Sequence, residues 1–440
     1  MLTRNKQEIS CLTRRDFIHR IAATGLLYSG AIAFDHKAMN IAHAASTPGV
    51  GIEAWLEEQH NIIQHSAVSN LPVKHHVLPA GIRKNNRFLN DTDSSPLDIY
   101  LGLTPFVEMR ALIDADIIEP WDKYMPKDVI DDIVPAIREE CSIDGRLYNW
   151  PFLVDVHGMA WNSRIINDAG LPAPAATWEE YIEDATQLVE LTTVPYGATF
   201  DPHGWRSLAP FAHSLTPALY TDSGLFDFSS EAAMEALILM KKLRQLSHPD
   251  IFHHGASGPQ LIGTPDEVAF ATQQIGFYTK YLSAPIRMSR HWDHPTDLRV
   301  APSPKFSTND GSSLFWTTGA ALLKQGKNKE AAAEYMRDLT FDQSVWQNSL
   351  NASNGNRTGQ LPPYMSMYAD WQKSKPDWLP DFVMLMRDEL QSASSIPNHR
   401  LSMQQFIVGQ PIWEKFLSGT ESSAKSALAQ VADTVSSLKL

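Results

Sequence analysis

The sequence has 440 residues, of which 43% are hydrophobic and 20% charged, and this ordinary composition argues against general disorder. A chain of this length is expected to form two or three domains. Its formal charge of −13 repels phosphate backbones and anionic lipid headgroups, which argues against nucleic-acid and membrane-surface binding, and its two cysteines, Cys11 and Cys141, provide no disulfide framework.

The first 44 residues have the layout of an export signal. Arg14 and Arg15 are followed by Phe17, and an uncharged apolar run occupies residues 21–34. Ala42 and Ala44 then supply the small residues of a cleavage site. The adjacent arginines resemble a twin-arginine signal, so we expect export by that route, with the general secretory route as the alternative. The apolar run is too short for a membrane span, which takes about 20 apolar residues.

Helices and short strands alternate along the rest of the chain. Residues 53–65 have the spacing of an amphipathic helix, and residues 73–78 read as a strand. Strands are also predicted at 97–101 and 152–161, and Asp144-Gly145 predicts a tight hairpin turn. Further helices are predicted at 106–113, 163–169, 177–191 (opened by a capping box from Thr177 to Glu180) and 231–246 (capped by Ser229 or Ser230). This alternation indicates an α/β protein.

Six segments, in order, resemble the family 1 extracellular solute-binding proteins, the maltose- and glycerol-phosphate-type receptors of ABC importers. The longest runs from residue 144 to 188 and begins DGRLYNWPFLVDVHGMAWN. The other five are LDIY at 97–100, DIIEPWDKY at 116–124, VAFATQQIGFYTK at 268–280, TTGAALLKQGKNKEAAAEYMRDLT at 317–340 and NRTGQLPPY at 356–364.

The resemblance implies a two-lobed periplasmic-binding-protein fold (type II) with a ligand cleft between the lobes. It implies residues 45–155 mainly in the N-terminal lobe, 156–310 mainly in the C-terminal lobe, and 311–440 in hinge crossings and shared C-terminal helices. Residues 46–52, where family members have their first strand, contain Pro48 and two glycines, so that strand is expected to be degenerate.

By the same resemblance, the protein captures a carbohydrate or related polyol in the periplasm by lobe closure and delivers it to the permease subunits of an ABC importer. We expect a monomer that is not an enzyme and has no cofactor. Two alternatives stay open: an exported carbohydrate-active enzyme, and a periplasmic binding protein that serves a sensor. The sequence has no Gly-x-Ser-x-Gly elbow, P-loop or dinucleotide fingerprint.

Sugar recognition needs an aromatic side chain for the apolar ring face and fixed polar groups for the hydroxyls. Asp155 is a carboxylate within a predicted buried strand, with a structural acceptor role as its alternative. Trp205 and Trp316 stand where family members present stacking aromatics and a pocket wall, and Gly319 would let the backbone approach a ligand. Packing within the lobes is the alternative for both tryptophans.

Three further residues are candidates for contacts with the ligand. Tyr281 stands where the family has a glycine, and Tyr100 lies in a predicted strand. Arg357 could pair with an acidic ligand group or instead bind the carbonyls of its own loop. The histidine pairs at 75–76 and 253–254 have no neighbouring ligands at metal-binding spacing, so no metal site is predicted.

Overall fold

The computed structural model describes residues 98–438, except 172–173, 254–255, 259–260, 308–310, 355–356 and 422, together with the backbone of two earlier strands. The export signal predicted at residues 1–44 lies outside the described residues.

Thirteen strands occur in the described part of the chain. They are β1 Ile52–Glu57, β2 Val73–Leu78, β3 Ile99–Leu103, β4 Ile118–Glu119, β5 Ser142–Ile143, β6 Arg146–Leu147, β7 Asn149–Asn162, β8 Tyr196–Thr199, β9 Ala256–Gly258, β10 Leu261–Gly263, β11 Ile275–Tyr281, β12 Leu298–Pro302 and β13 Phe315–Leu323.

Fifteen α-helices occur in the described part of the chain. They are α1 Arg110–Asp114, α2 Lys127–Asp132, α3 Pro135–Glu140, α4 Ser163–Asp168, α5 Trp178–Glu190, α6 Trp205–His213, α7 Glu231–Leu246, α8 Pro265–Ala271, α9 Ser283–Met288, α10 Lys329–Phe341, α11 Gln343–Leu350, α12 Met365–Ser374, α13 Phe382–Ser392, α14 Ser402–Leu417 and α15 Ala424–Ser436. A π-helical turn, Pro105–Met109, leads into α1, and short 3₁₀ turns occur at Trp121–Lys123, Ser289–His291 and Pro295–Asp297.

One long strand, β7, connects the two halves of the sheet. Its first half pairs with β13, which continues through β3 and β1 to β2 and also carries β4. Its second half pairs with β11 and β12, and β8 lies beyond β11. All 14 residues of β7 are buried. The predicted α/β class is confirmed by this mixture of parallel and antiparallel strands with helices packed around them.

Three segments of the chain meet beside the middle of β7. His157 N donates to Leu314 O at 2.8 Å, and Phe315 N donates to Ser394 O at 2.9 Å. On either side of this junction, the hydrophobic residues separate into two large cores, and Leu314 and Phe315 belong to different ones. The chain therefore passes between the two packed halves at three neighbouring places, near residues 157, 314 and 394.

Several local predictions are confirmed. The hairpin turn at Asp144-Gly145 joins β5 to β6, and the capping box from Thr177 to Glu180 opens α5. Ser230 caps α7, its side chain accepting from Ala233 N. These signals are short-range hydrogen-bond patterns, so their outcome depends little on the rest of the fold.

The helix predicted at residues 53–65 is wrong at its start, because Ile52–Glu57 forms β1. This strand pairs in parallel with β2 over all six residues and with β3 at two positions, so the first strand of this sheet is present. Ile52, Ala54 and Leu56 also follow a two-residue period, although Trp55 interrupts the alternation. Pairing with two neighbours outweighs a weak helical pattern.

A buried polar cluster lies where the end of α3 meets β13. Thr317 Oγ1 donates to Glu140 Oε2 at 2.6 Å, and Asn398 Nδ2 donates to the carbonyl of Glu140, also at 2.6 Å. Burial raises the pKa of Glu140 to about 8, although the hydrogen bond from Thr317 opposes this shift. The carboxyl group therefore keeps its proton near neutral pH.

This shift predicts a pH-dependent stability. An unfolded glutamate loses its proton near pH 4.5, so from there to about pH 8 only the folded state retains it, and rising pH destabilises the fold. Glu140→Gln should therefore gain stability relative to the parent protein between pH 5 and pH 8, as measured by urea denaturation. The exposed Glu139→Gln is the matched control. Equal differences at both pH values would contradict the shifted pKa.

Candidate functional site

The register of β7 places three candidate residues on one face of the sheet. Asp155 lies directly opposite Trp316 of β13, and His157 lies directly opposite Tyr281 of β11. Directly opposite residues share a face, as do residues two apart on one strand. Asp155, His157, Tyr281 and Trp316 therefore project on the same side.

Trp205 reaches this face from the first turn of α6. Its ring centroid lies 5.0 Å from that of Tyr281 and 6.3 Å from that of Trp316. The preceding residue, Gly204, has φ 55° and ψ −137°, a backbone conformation available in practice only to glycine. Gly204 N donates to Gln410 Oε1 at 2.7 Å, which fixes the start of the helix.

Phe106 completes what we call the aromatic cluster: Phe106, Trp205, Tyr281 and Trp316. Phe106 belongs to the π-helical turn after β3, and its ring meets Trp205 edge-on at 4.8 Å. It packs with the core around α6 and α14, whereas its neighbours Leu103 and Met109 pack in a separate small core. Sequence reasoning missed Phe106, because only its place after the strand-ending Thr104-Pro105 pair distinguishes it from other core phenylalanines.

Four buried polar atoms around the cluster have no hydrogen-bond partner among the described residues. They are Tyr281 Oη, Trp316 Nε1, Arg206 Nε and His157 Nε2. The Arg206 guanidinium lies 5.7 Å from the Trp205 ring centroid. An unsatisfied buried donor costs about 1–3 kcal/mol, so such atoms are expected where a bound molecule supplies the acceptors.

Asp155 is held by the first residue of α9. The backbone N of Ser283 donates to its Oδ1 at 3.1 Å, and the Ser283 hydroxyl donates to its Oδ2. Burial raises the pKa of Asp155 to about 6, opposed by these hydrogen bonds and by the charges of Arg287 and Arg206. Burial, together with Asp155, also raises the pKa of Tyr281, so the tyrosine stays a neutral hydroxyl.

A buried ionic network supports the cluster from the other face of β11. Lys280 Nζ lies 3.1 Å from Asp266, 3.5 Å from Glu267 and 3.6 Å from Asp201. Burial alone would lower the pKa of Lys280, but these three carboxylates outweigh it and hold the pKa above its ordinary value.

Two arginines extend the same network. Arg206 pairs with Asp201 at 3.4 Å, and Arg287 pairs with Glu267 at 3.2 Å. Burial would raise the pKa of Asp201, yet Lys280 and Arg206 lower it well below its usual range. Three cations thus face three carboxylates, and Arg206 connects the network to Trp205.

Three candidates lie away from the aromatic cluster. Tyr100 is fully buried in the small core, and its hydroxyl donates to Glu108 Oε1 at 3.1 Å. Arg357 donates to Ile286 O and Ser289 Oγ, which lie outside the loop 351–359 that its structural alternative named. Gly319 packs against β7, where an added Cβ would meet the Trp150 carbonyl oxygen at 2.0 Å. Their other contacts account for these residues without a ligand.

The described residues contain neither a metal-binding cluster nor a membrane-spanning helix. Within them, no group of three or more His, Cys, Asp or Glu residues is placed to hold a metal ion. No helix in this part of the chain is long and apolar enough to cross a membrane.

The profile of the family described as bacterial extracellular solute-binding protein matches residues 87–344, more than half of the chain. This chain belongs to the bacterial extracellular solute-binding protein family. A protein of Brucella abortus (strain 2308) named as a binding protein is 23% identical over 257 residues, covering 56% of this solute-binding protein and 59% of the relative. The chain thus spans less than two thirds of this curated relative's length.

Solved structures show that this solute-binding protein has the two-lobed fold of its family. The maltose-bound MalE3 protein of T. maritima superposes with a TM-score of 0.69 at 14% identity, covering 88% of this chain and 99% of that one. A solute-binding protein from Agrobacterium vitis with bound D-mannitol gives 0.66 at 17% identity, covering 88% and 98%. The expected fold class is confirmed.

The ionic network yields a stability prediction. Lys280→Met removes the cation that three buried carboxylates share, so the free energy of unfolding should fall by about 3–5 kcal/mol. Lys324→Met, which breaks the exposed pair with Asp116, should have a much smaller effect. Urea denaturation of both variants measures the difference, and equal losses would show that the network adds no stability.

Proposed function

We propose that this protein is the substrate-binding component of an ABC importer and captures a carbohydrate or related polyol outside the cytoplasm by lobe closure. The aromatic cluster carries the proposal, because its rings supply apolar faces and its buried polar atoms supply unpaired hydrogen-bond donors. A sugar ring offers the complement of both, an apolar face and several acceptor oxygens.

Relatives support the same ligand class. The maltose-bound protein of T. maritima and the D-mannitol-bound protein of A. vitis share this fold over 88% of the chain. Their ligands are a disaccharide and an acyclic polyol, and both present hydroxyl groups. The proposed partners are such a ligand and the importer's permease subunits, with the binding protein acting as a monomer.

The lobes are proposed to comprise mainly residues 45–155 and mainly residues 156–310, with 311–440 contributing hinge crossings and shared helices. The meeting of His157, Leu314 and Ser394 supports a hinge near the first boundary. Phe106 precedes this junction in the chain, whereas Trp205 and Tyr281 follow it, so the Phe106–Trp205 contact would join the two lobes. Closure over a ligand would then assemble the aromatic cluster.

A thermal-shift screen of residues 45–440 against sugars and polyols tests the ligand proposal. A ligand that binds only the folded state raises its stability by about 2.7 kcal/mol at about 100 times its dissociation constant. Trp205→Ala should weaken binding at least tenfold, since Trp205 touches each of the other three rings. Trp371→Ala, equally buried but remote, should lower stability without weakening binding. Similar affinity losses in both variants would contradict the proposed site, and turnover of a bound ligand would favour an enzyme.

Export through the twin-arginine route is proposed from Arg14 and Arg15. Replacing both with lysine should leave the unprocessed protein in the cytoplasm, because that route requires the arginine pair. Cell fractionation and blotting give the readout, with Arg4→Lys as the control. Undiminished export of the double variant would contradict the twin-arginine route while leaving the ligand proposal intact.

A further inference from the structure

Resting on the proposed function, we infer that the ligand is uncharged and no larger than a single sugar ring: a monosaccharide or a five- or six-carbon polyol. Phosphorylated sugars and oligosaccharides are excluded as ligands. Three features of the site lead to this conclusion: the arrangement of its aromatic rings, its unpaired donors and its charge balance.

The aromatic rings form one compact group. Trp205 contacts Phe106, Tyr281 and Trp316 with centroid distances between 4.8 and 6.3 Å and interplanar angles between 63° and 77°. Tyr281 and Trp316 are themselves 6.3 Å apart. Rings that stand nearly perpendicular to one another form a corner, whereas an oligosaccharide needs successive stacking surfaces along a groove.

Outside the cluster, the aromatic side chains of the described residues are buried or half-buried. The large hydrophobic side chains exposed there are all aliphatic: Leu191, Ile238, Met365 and Leu385. Within the cluster, Trp205 and Tyr281 are 5% and 3% exposed. A chain of sugar units extending beyond the corner would therefore meet no fully exposed aromatic ring.

The unpaired donors are few and belong to the same corner. Tyr281 Oη and Trp316 Nε1 are buried without hydrogen-bond partners among the described residues. Both belong to the cluster, and the guanidinium of Arg206, which pairs with Asp201, lies over the Trp205 ring. Two fixed donors in one place suit the hydroxyl and ring oxygens of one small molecule.

The charges beside the corner are already balanced. Lys280, Arg206 and Arg287 pair with Asp201, Asp266 and Glu267 at 3.1 to 3.6 Å. Asp155 adds a further acidic group directly opposite Trp316. A phosphate or carboxylate on the ligand would bring another negative charge into a buried site, and burying an uncompensated charge is costly.

Isothermal titration calorimetry of residues 45–440 against matched probes tests this inference. The panel contains the common pentoses, hexoses and their alditols, the 6-phosphates of the hexoses, maltose and maltotriose. We expect at least one monosaccharide or alditol to bind, and its phosphorylated and oligomeric counterparts to bind at least 100-fold more weakly.

The outcomes separate this inference from the proposed function. Tighter or equal binding of a phosphate, maltose or maltotriose would overturn the size and charge argument while supporting a carbohydrate receptor. Failure of the whole panel to bind would overturn the proposed function and the inference together.

A conservative variant tests the donor argument separately. Trp316→Phe keeps an aromatic ring but removes the Nε1 donor, so affinity for the bound probe should fall about five- to tenfold. Trp378→Phe, in the remote core packed around α12, is the matched control and should bind as the parent protein does. Unchanged affinity of Trp316→Phe, with its thermal stability intact, would show that Trp316 Nε1 does not contact the ligand.

Discussion

The arrangement of this molecule depends on the pairing of strand β7. Its 14 buried residues join β13 on one side of the junction to β11 and β12 on the other, so one segment belongs to both halves of the sheet. Because side chains alternate along a strand, the same register decides which residues face the site. A shift by one residue would turn Asp155 and His157 to the opposite face and replace them with Val154 and Val156.

Two different forces then shape the site around that strand. On one face of β11, aromatic rings contact each other edge to face, and their polar atoms are left without partners. On the other face, Lys280 and its carboxylates neutralise one another. The first face therefore has unpaired polar atoms, whereas the charges on the second face balance one another. This contrast is the physical basis for inferring an uncharged ligand in a strongly acidic protein.

Sequence reasoning succeeded where short-range patterns determine structure. The capping box at Thr177, the N-cap at Ser230 and the turn at Asp144-Gly145 all form as predicted, because each depends on residues within a few positions. The resemblance of residues 144–188 also identified the family, which the profile match over 87–344 shows. Among the candidate residues, Asp155, Trp205, Tyr281 and Trp316 come together in the structure.

The remainder depends on long-range packing that sequence patterns do not encode. Strand β1 forms by pairing with β2 and β3, against a helical spacing in its own residues. Phe106 packs in one core with Trp205, which is about 100 residues away along the chain. No sequence pattern near Phe106 predicts that contact. Likewise, the network of Lys280 assembles residues from β11, α6, α8, α9 and the loop after β8. Arg357 donates its hydrogen bonds to Ile286 and Ser289.

The most direct test of the account is a crystal structure of the mature protein with its tightest-binding sugar or polyol. We predict electron density for the ligand against Trp205, Tyr281 and Trp316, with the ligand's oxygens within hydrogen-bond distance of Tyr281 Oη and Trp316 Nε1. Phe106 should close the same site from the other lobe. Ligand density elsewhere, with the four rings packed against one another as they are here, would contradict it.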